Sequence, residues 1–227
     1  LLCLPMIGFG QLTIIPDVNF EQALIYLGYD TGIVNGSVPT ANIDTVSWLM
    51  LGPPMPTISD LTGIEDFSAL EELACHNQQL TFLDLSANTS LITLNCNENQ
   101  LTSLDLSNNT LLTTLWCNEN QLTSLDIRNG NNTNMNGLST YLNPNLTCIN
   151  VDDPSINWQN LSNSFFFEPQ NYFSTNCLPT SIQKHTKNKE ILKSIDLLGR
   201  EKKQSNQPLF YIYDDGTVEK RIRINYR

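Results

Sequence analysis

Basic side chains are almost missing from the first 177 residues of this 227-residue chain. Arg128 stands alone there against 17 acidic residues, for a net charge of −16. A nucleic-acid-binding body shows a basic footprint, so that class is excluded for this part of the chain. Histidine is scarce too: His76 and His185 are the only two. No HExxH or CxxC spacing occurs, and no GxSxG, phosphate-binding loop or GxGxxG. The sequence thus offers no metal-binding motif, no cofactor motif and no catalytic set, and it does not read as an enzyme. The carboxylate pairs Glu71/Glu72 and Asp152/Asp153 read as solvated charges rather than a glycosidase pair. Cys75 and His76 fail as a dyad, because adjacent strand residues point to opposite faces. No apolar run approaches the roughly 20 residues of a membrane-crossing helix.

What is present is uneven. The last 50 residues hold the other 11 basic residues against 6 acidic ones, for a net +5. The chain therefore joins two electrically different pieces. A hydrophobic content of 40% is enough for a core and excludes a wholly disordered chain. More than one residue in ten is Asn. Asn disfavours helix interiors and strands alike, so something must use it systematically. The first ten residues, LLCLPMIGFG, are apolar with Gly8 and Gly10 placed before Gln11. They read as the remnant of a secretory signal peptide over 1–10. Cys3 lies inside it and receives no role.

A period of 21 residues organises the middle. Residues 70–90 read LEELACHNQQLTFLDLSANTS, 91–111 read LITLNCNENQLTSLDLSNNTL, and 112–132 read LTTLWCNENQLTSLDIRNGNN. Leu70/Leu91/Leu112, Leu73/Leu94/Leu115, Leu80/Leu101/Leu122 and Leu83/Leu104/Leu125 align. Each unit predicts one short strand and an irregular return, which cannot bury its own apolar edge. Stacked units bury it continuously. Buried backbone groups in helix-free turns need partners. Asn99 and Asn120, pointing inward, are placed to bond the neighbouring coil's backbone. The Ser/Asn/Thr segments at 86–89 and 107–110 favour turns. Val46, Leu49 and Leu51 fit a degenerate first strand, with Ile58, Leu61 and Ile64 on its return. A last strand is expected over 143–149. The stretch 128–142 between is an Asn/Gly-rich insertion or a drifted coil. About five coils result.

Cys75, Cys96 and Cys117 share one position of the repeat. Stacking would place them roughly 5 Å apart, but their side chains would point the same way. They read as free buried thiols. Cys148 and Cys177 are the better disulfide candidates. Asp84, Asp105 and Asp126 form a second ladder, whose neighbours would repel by roughly 0.8 kcal/mol in water. They accept backbone N–H bonds, splay into solvent, or share a cation. Residues 17–27 read as a helix with Asp17 as N-cap and Phe20, Leu24 and Leu27 on one face. This predicts an N-terminal cap over 11–45. Repeats follow over 46–150, and an aromatic C-terminal cap over 151–177.

These motifs resemble leucine-rich repeats. The runs IPDVNFEQALIYLGYD, DLTGIEDFSALEEL, CxxNQLTxLDLSxNT and NPNLTCINVDD together resemble leucine-rich surface proteins of the Bacteroidota, with the internalin-like proteins more distant. The fold class implied is an α+β solenoid: short parallel strands, a capping helix, and a small all-β domain after it. Such solenoids bind partners on a concave row, which here would comprise Glu72, His76, Thr93, Asn95, Asn97, Thr114, Trp116 and Asn118, with Ala74 among them. The implied function is an exported surface protein that binds protein or matrix partners. The alternative is glycan capture with Trp116 as the stacking ring.

The end of the chain breaks the period. A polar linker over 178–186 precedes ILKSIDLLGRE and QPLFYIYDDGTVEKRIRINYR. The second run predicts a hairpin turning at Asp215-Gly216. LxxxDxLGRE followed by QPLFYIYDDGTVEK is similar to the type A sorting domain of the type IX secretion system, over 187–227. Its motif residues are Gly199, Arg200, Pro208, Asp214, Asp215 and Gly216. The resemblance implies export to the cell surface and recognition by the type IX machinery.

Overall fold

Leu73, Leu94 and Leu115 define the architecture, because each sits at the centre of a three-residue strand with its neighbours facing away from the core. The computed structural model describes residues 10–158 and 164–177, together with the backbone of three strands nearer the C-terminus. The chain divides into two compact units, Leu1–Cys177 and Leu178–Arg227. Residues 1–9 of the signal peptide expected over 1–10, the linker and all six sorting-motif residues lie outside the described residues.

The first unit opens with β1 (Leu12–Ile14), α1 (Val18–Leu27) and β2 (Ser37–Pro39), the two strands pairing antiparallel. The Asp17 carboxylate accepts from the Asn19 and Phe20 N–H groups and so caps the first turn of α1. Its second oxygen accepts from the Ser59 N–H, the Ser59 hydroxyl and the Asp60 N–H, which ties the helix to the first return. Gly28, at φ 82°, ends the helix in the left-handed region. Phe20, Ala23 and Leu24 are fully buried in the core.

A six-stranded parallel sheet follows: β3 (Trp48–Met50), β4 (Glu72–Ala74), β5 (Thr93–Asn95), β7 (Thr114–Trp116), β9 (Gly137–Ser139) and β11 (Phe165–Phe166). Six strands bound about five turns of a β-solenoid. Leu49, Leu73, Leu94, Leu115 and Leu138 stand opposite one another in register, all buried. Truncating one such leucine to Ala costs about 2–5 kcal/mol.

Each coil was expected to hold one strand, and here the structure differs. The returns form a second parallel sheet of β6 (Ser103–Asp105), β8 (Ser124–Asp126), β10 (Cys148–Asn150) and β12 (Tyr172–Ser174). The SLD triplets already alternate outward, inward, outward around Leu104 and Leu125. Three such residues suffice once a neighbouring coil supplies the ladder. The last strand expected over 143–149 is the shorter β10 of this second sheet, with Ile149 facing Leu125. The stretch 128–142 is a drifted coil rather than an insertion, since it supplies β9. Residues 151–177, expected as a cap, also extend both sheets by one strand each. They gather Trp158, Phe165, Phe167 and Phe173, with the Trp158 and Phe173 rings stacked at 5.2 Å.

Asparagine holds the coils together. Asn99 Oδ1 accepts from the Leu80 N–H, and its amide donates to the Cys75, Cys96 and Asn97 carbonyls. Asn120 repeats this one coil later on Leu101, Cys96, Cys117 and Asn118. Gln78 does the same on the first coil, and Asn143 on the drifted one. A second buried ladder runs along the opposite turns. Asn88 donates to Ile64 and Phe67, Asn109 to Leu85 and Asn88, and Asn129 to Asn109. The high Asn content is thus the turn chemistry of a helix-free coil.

In the second unit, β13 (Ile191–Ile195), β14 (Leu209–Tyr213) and β15 (Val218–Arg221) form an antiparallel sheet in that order. The strands β14 and β15 make the hairpin read from the sequence.

Candidate binding face

Strand alternation puts the residues flanking each core leucine on one outer face of the first sheet. The register aligns two rows across it. One runs Trp48, Glu72, Thr93, Thr114, Gly137. The other runs Met50, Ala74, Asn95, Trp116, Ser139, Phe166. The expected residues Glu72, Thr93, Asn95, Thr114 and Trp116 therefore share a face. The sequence reading missed its ends. Trp48 and Met50 are 54% and 43% exposed, and Phe166 is 51% exposed.

Residues just beyond the strands divide between structure and surface. Asn97 Oδ1 accepts from the Asn118 N–H, and Asn95 Oδ1 accepts from the Asn97 N–H. Asn97 thus braces the next coil, and Asn95 braces the turn of its own. His76 lies against the backbone of the preceding coil, where a Cβ added at Gly52 would fall 2.5 Å from its Cε1. The following position of each coil is left-handed: Asn77, Glu98, Glu119 and Leu142 have φ of 54–57°. This turns the chain sharply back toward the buried ladder amide.

At the C-terminal end of the face lies an open-sided pocket of about 330 Å³, lined by Trp116, Asn118, Ser139, Tyr141 and Phe166. Trp116 lies across Gly137, where an added Cβ would come 2.9 Å from its Cη2. Glycine there leaves room for the ring. Trp116, Ser139 and Phe166 come from consecutive strands, so the two rings stand two strand spacings apart, about 10 Å, with a small residue between. Ser139 is only 4% exposed, and Tyr141 is 49% exposed. Tyr141 and Phe166 lie outside the clear repeats. Counting back from Asn143 is the signal that finds Tyr141, since it stands where Asn118 stands in the coil before.

The thiol ladder is inside. Cys75, Cys96 and Cys117 are free and fully buried. Burial pushes the Cys75 and Cys117 thiols up to about 12, and raises Cys96 well above its ordinary value. Inert thiols, filling a small apolar position, are the outcome. Cys148 and Cys177 form a disulfide, with Cα atoms 5.7 Å apart. The aspartate ladder is bonded within each coil: Asp84, Asp105 and Asp126 accept from the N–H two residues on. The Ser86 bonds hold the Asp84 carboxyl below its ordinary pKa. At Asp126 burial pushes up, and the Arg128 guanidinium outweighs it. Among the described residues, no group of three or more His, Cys, Asp or Glu side chains is placed to hold a metal ion. No helix among them is long and apolar enough to cross a membrane.

No family model and no curated protein matches the chain. Among solved structures it is similar to the functional domain of InlJ from Listeria monocytogenes, which includes a cysteine ladder. That match has 27% identity and a TM-score of 0.48, covering 63% of this chain and 38% of that one. It is also similar to the internalin InlF of the same organism, at 22% identity and TM-score 0.47, covering 61% of this chain and 44% of that one. Internalin C2 follows at 17% identity and TM-score 0.37, covering 61% and 75% respectively. The chain thus spans less than half the length of the first two.

Proposed function

We propose that this chain is an exported, surface-displayed binding protein. Its solenoid captures a protein or matrix partner on the outer face of the first sheet, and its C-terminal unit directs export. The observation that carries the reading is the run of outward side chains in register across six strands, ending in a pocket with an exposed aromatic rim. Aromatic anchors in such pockets often dominate affinity. In this reading α1 and the Trp158 cluster close the two ends of the stack, as open solenoid ends require. Residues 187–227 serve as the sorting domain for the type IX machinery, after removal of the leader over 1–10. The charge contrast, −16 against +5, supports two separate jobs in one chain.

Binding of the full chain to immobilised fibronectin, laminin, collagen and mucin tests the first claim. Saturable binding to one of them, weakened at least tenfold by Trp116→Ala, is expected. Indifference of every hit to that substitution refutes the face. Surface display in a Bacteroidota host carrying the type IX machinery tests the second. Deleting 187–227 should trap the protein inside the cell envelope, and undiminished display would refute the sorting role.

A further inference from the structure

We infer that the pocket at the C-terminal end of the binding face takes a neutral sugar ring; this rests on the reading of that face as the binding surface and deepens it. Three aromatic side chains, one carboxamide and two hydroxyls make the lining, since the residues are Trp116, Tyr141, Phe166, Asn118, Ser139 and no others. No lining residue carries a charge, so nothing there compensates the desolvation of a phosphate, sulfate or carboxylate ligand. The volume of about 330 Å³ lies at the small end of ligand sites.

The decisive group is Ser139. The residue is only 4% exposed, and its hydroxyl, still open to the solvent of the pocket, makes no hydrogen bond to another described residue. The Asn118 side-chain amide likewise has none among them. An apolar anchor, such as a leucine or phenylalanine of a protein partner, would seal the Ser139 hydroxyl away from water unpaired. That is the costly case for a polar group. A polyhydroxylated ring avoids it. Its hydroxyls pair with Ser139 and Asn118, while its C–H faces pack on the rings of Trp116 and Phe166. Pairing polar groups while covering aromatic surface is what a sugar does and an aliphatic side chain does not. Gly137 is the positioning residue, because an added Cβ there would come 2.9 Å from Trp116 Cη2 and displace the indole.

The test is a titration of the full chain with glucose, galactose, mannose, N-acetylglucosamine and their β-linked disaccharides, followed by saturation-transfer NMR. Saturable binding of at least one sugar is expected. It should be lost in Trp116→Ala, weakened about tenfold in Ser139→Ala, and unchanged in Phe82→Ala, whose ring is 70% exposed and lines different pockets. If Trp116→Ala does not fold, the exposed Tyr141→Ala and Phe166→Ala take its place. No saturable binding of any neutral sugar overturns the inference. So does binding that ignores all of these substitutions, or binding of anionic glycans alone. If matrix binding persists and still depends on Trp116 while every sugar fails, the face stands and the sugar site falls. If neither depends on Trp116, both fall.

Discussion

Replacing Asn120 by alanine probes the chemistry that lets this chain coil without helices. Asn120 makes four hydrogen bonds: one accepted from the Leu101 N–H at 3.0 Å, and three donated, to Cys96, Cys117 and Asn118 at 3.0, 3.2 and 3.3 Å. The residue is 5% exposed. Alanine leaves one N–H and two carbonyls buried between coils. An orphaned buried group costs about 1–3 kcal/mol. Water entering the vacated space recovers part of this, so a loss of about 3–5 kcal/mol is expected. That is a large share of a total stability of roughly 5–15 kcal/mol. Urea unfolding followed by circular dichroism measures it, with unchanged slope as the check that only stability moved. Asn108→Ala is the control. It is exposed in the turn of the preceding coil, and its effect should stay within about 0.5 kcal/mol. A loss below about 1 kcal/mol for Asn120→Ala, or equal effects of the two, would refute the ladder as the coil's main polar support.

Leu142 holds φ 57° with a branched side chain that is 44% exposed. Leu142→Asn should therefore raise stability by roughly 0.5–1 kcal/mol in a thermal melt, and a lower melting temperature would contradict the strain. In the native protein Cys75, Cys96 and Cys117 should resist iodoacetamide up to pH 9 and react fully in urea, read by peptide mass spectrometry. Ready labelling of the folded form would mean the ladder opens. Reducing the Cys148–Cys177 bridge, which closes a separation of 29 residues, should lower stability by about 3–4 kcal/mol; an unmoved urea midpoint would count against this. Asp17, Asp84 and Asp126 have carboxyls held below their ordinary values. At Asp17 burial pushes up, and the bonds from Ser59, Phe20 and Asn19 outweigh it. Their stabilisation is complete above about pH 4 and is lost as pH falls through the lowered folded values. Asp17→Asn should flatten that acid limb; an identical pH profile would show that the cap does not contribute.

The repeat made the first sheet legible because four leucines recur at fixed spacing, and nothing but stacking buries them. Asn99 and Asn120 were legible for the same reason: an amide at a fixed offset after a buried strand must point inward. The second sheet was not. SLD is too short to declare itself a strand, and its ladder comes from neighbouring coils rather than from local propensity. Asn88 and Asn109 hid inside turn-like segments, where Asn already has a local explanation. The drifted coil hid its strand because Gly137 and Thr140 replace the usual residues. The anchor that survives is Asn143, which still bonds Leu122, Cys117 and Thr140. The pocket was half legible. Trp116 and Asn118 stand in a clear repeat, whereas Ser139, Tyr141 and Phe166 come from coils whose sequence has lost the period.

The central claim is that binding belongs to one face of the solenoid. A single coil offers the comparison. Thr93 lies in β5 on the proposed face, and Thr102 is exposed on the return beside β6. The measurement is surface plasmon resonance of the full chain on whichever matrix protein binds it, with Thr93→Arg and Thr102→Arg compared at equal fold stability. Thr93→Arg should weaken binding at least tenfold and Thr102→Arg should leave it within twofold. Equal effects, or the reverse order, would contradict the account.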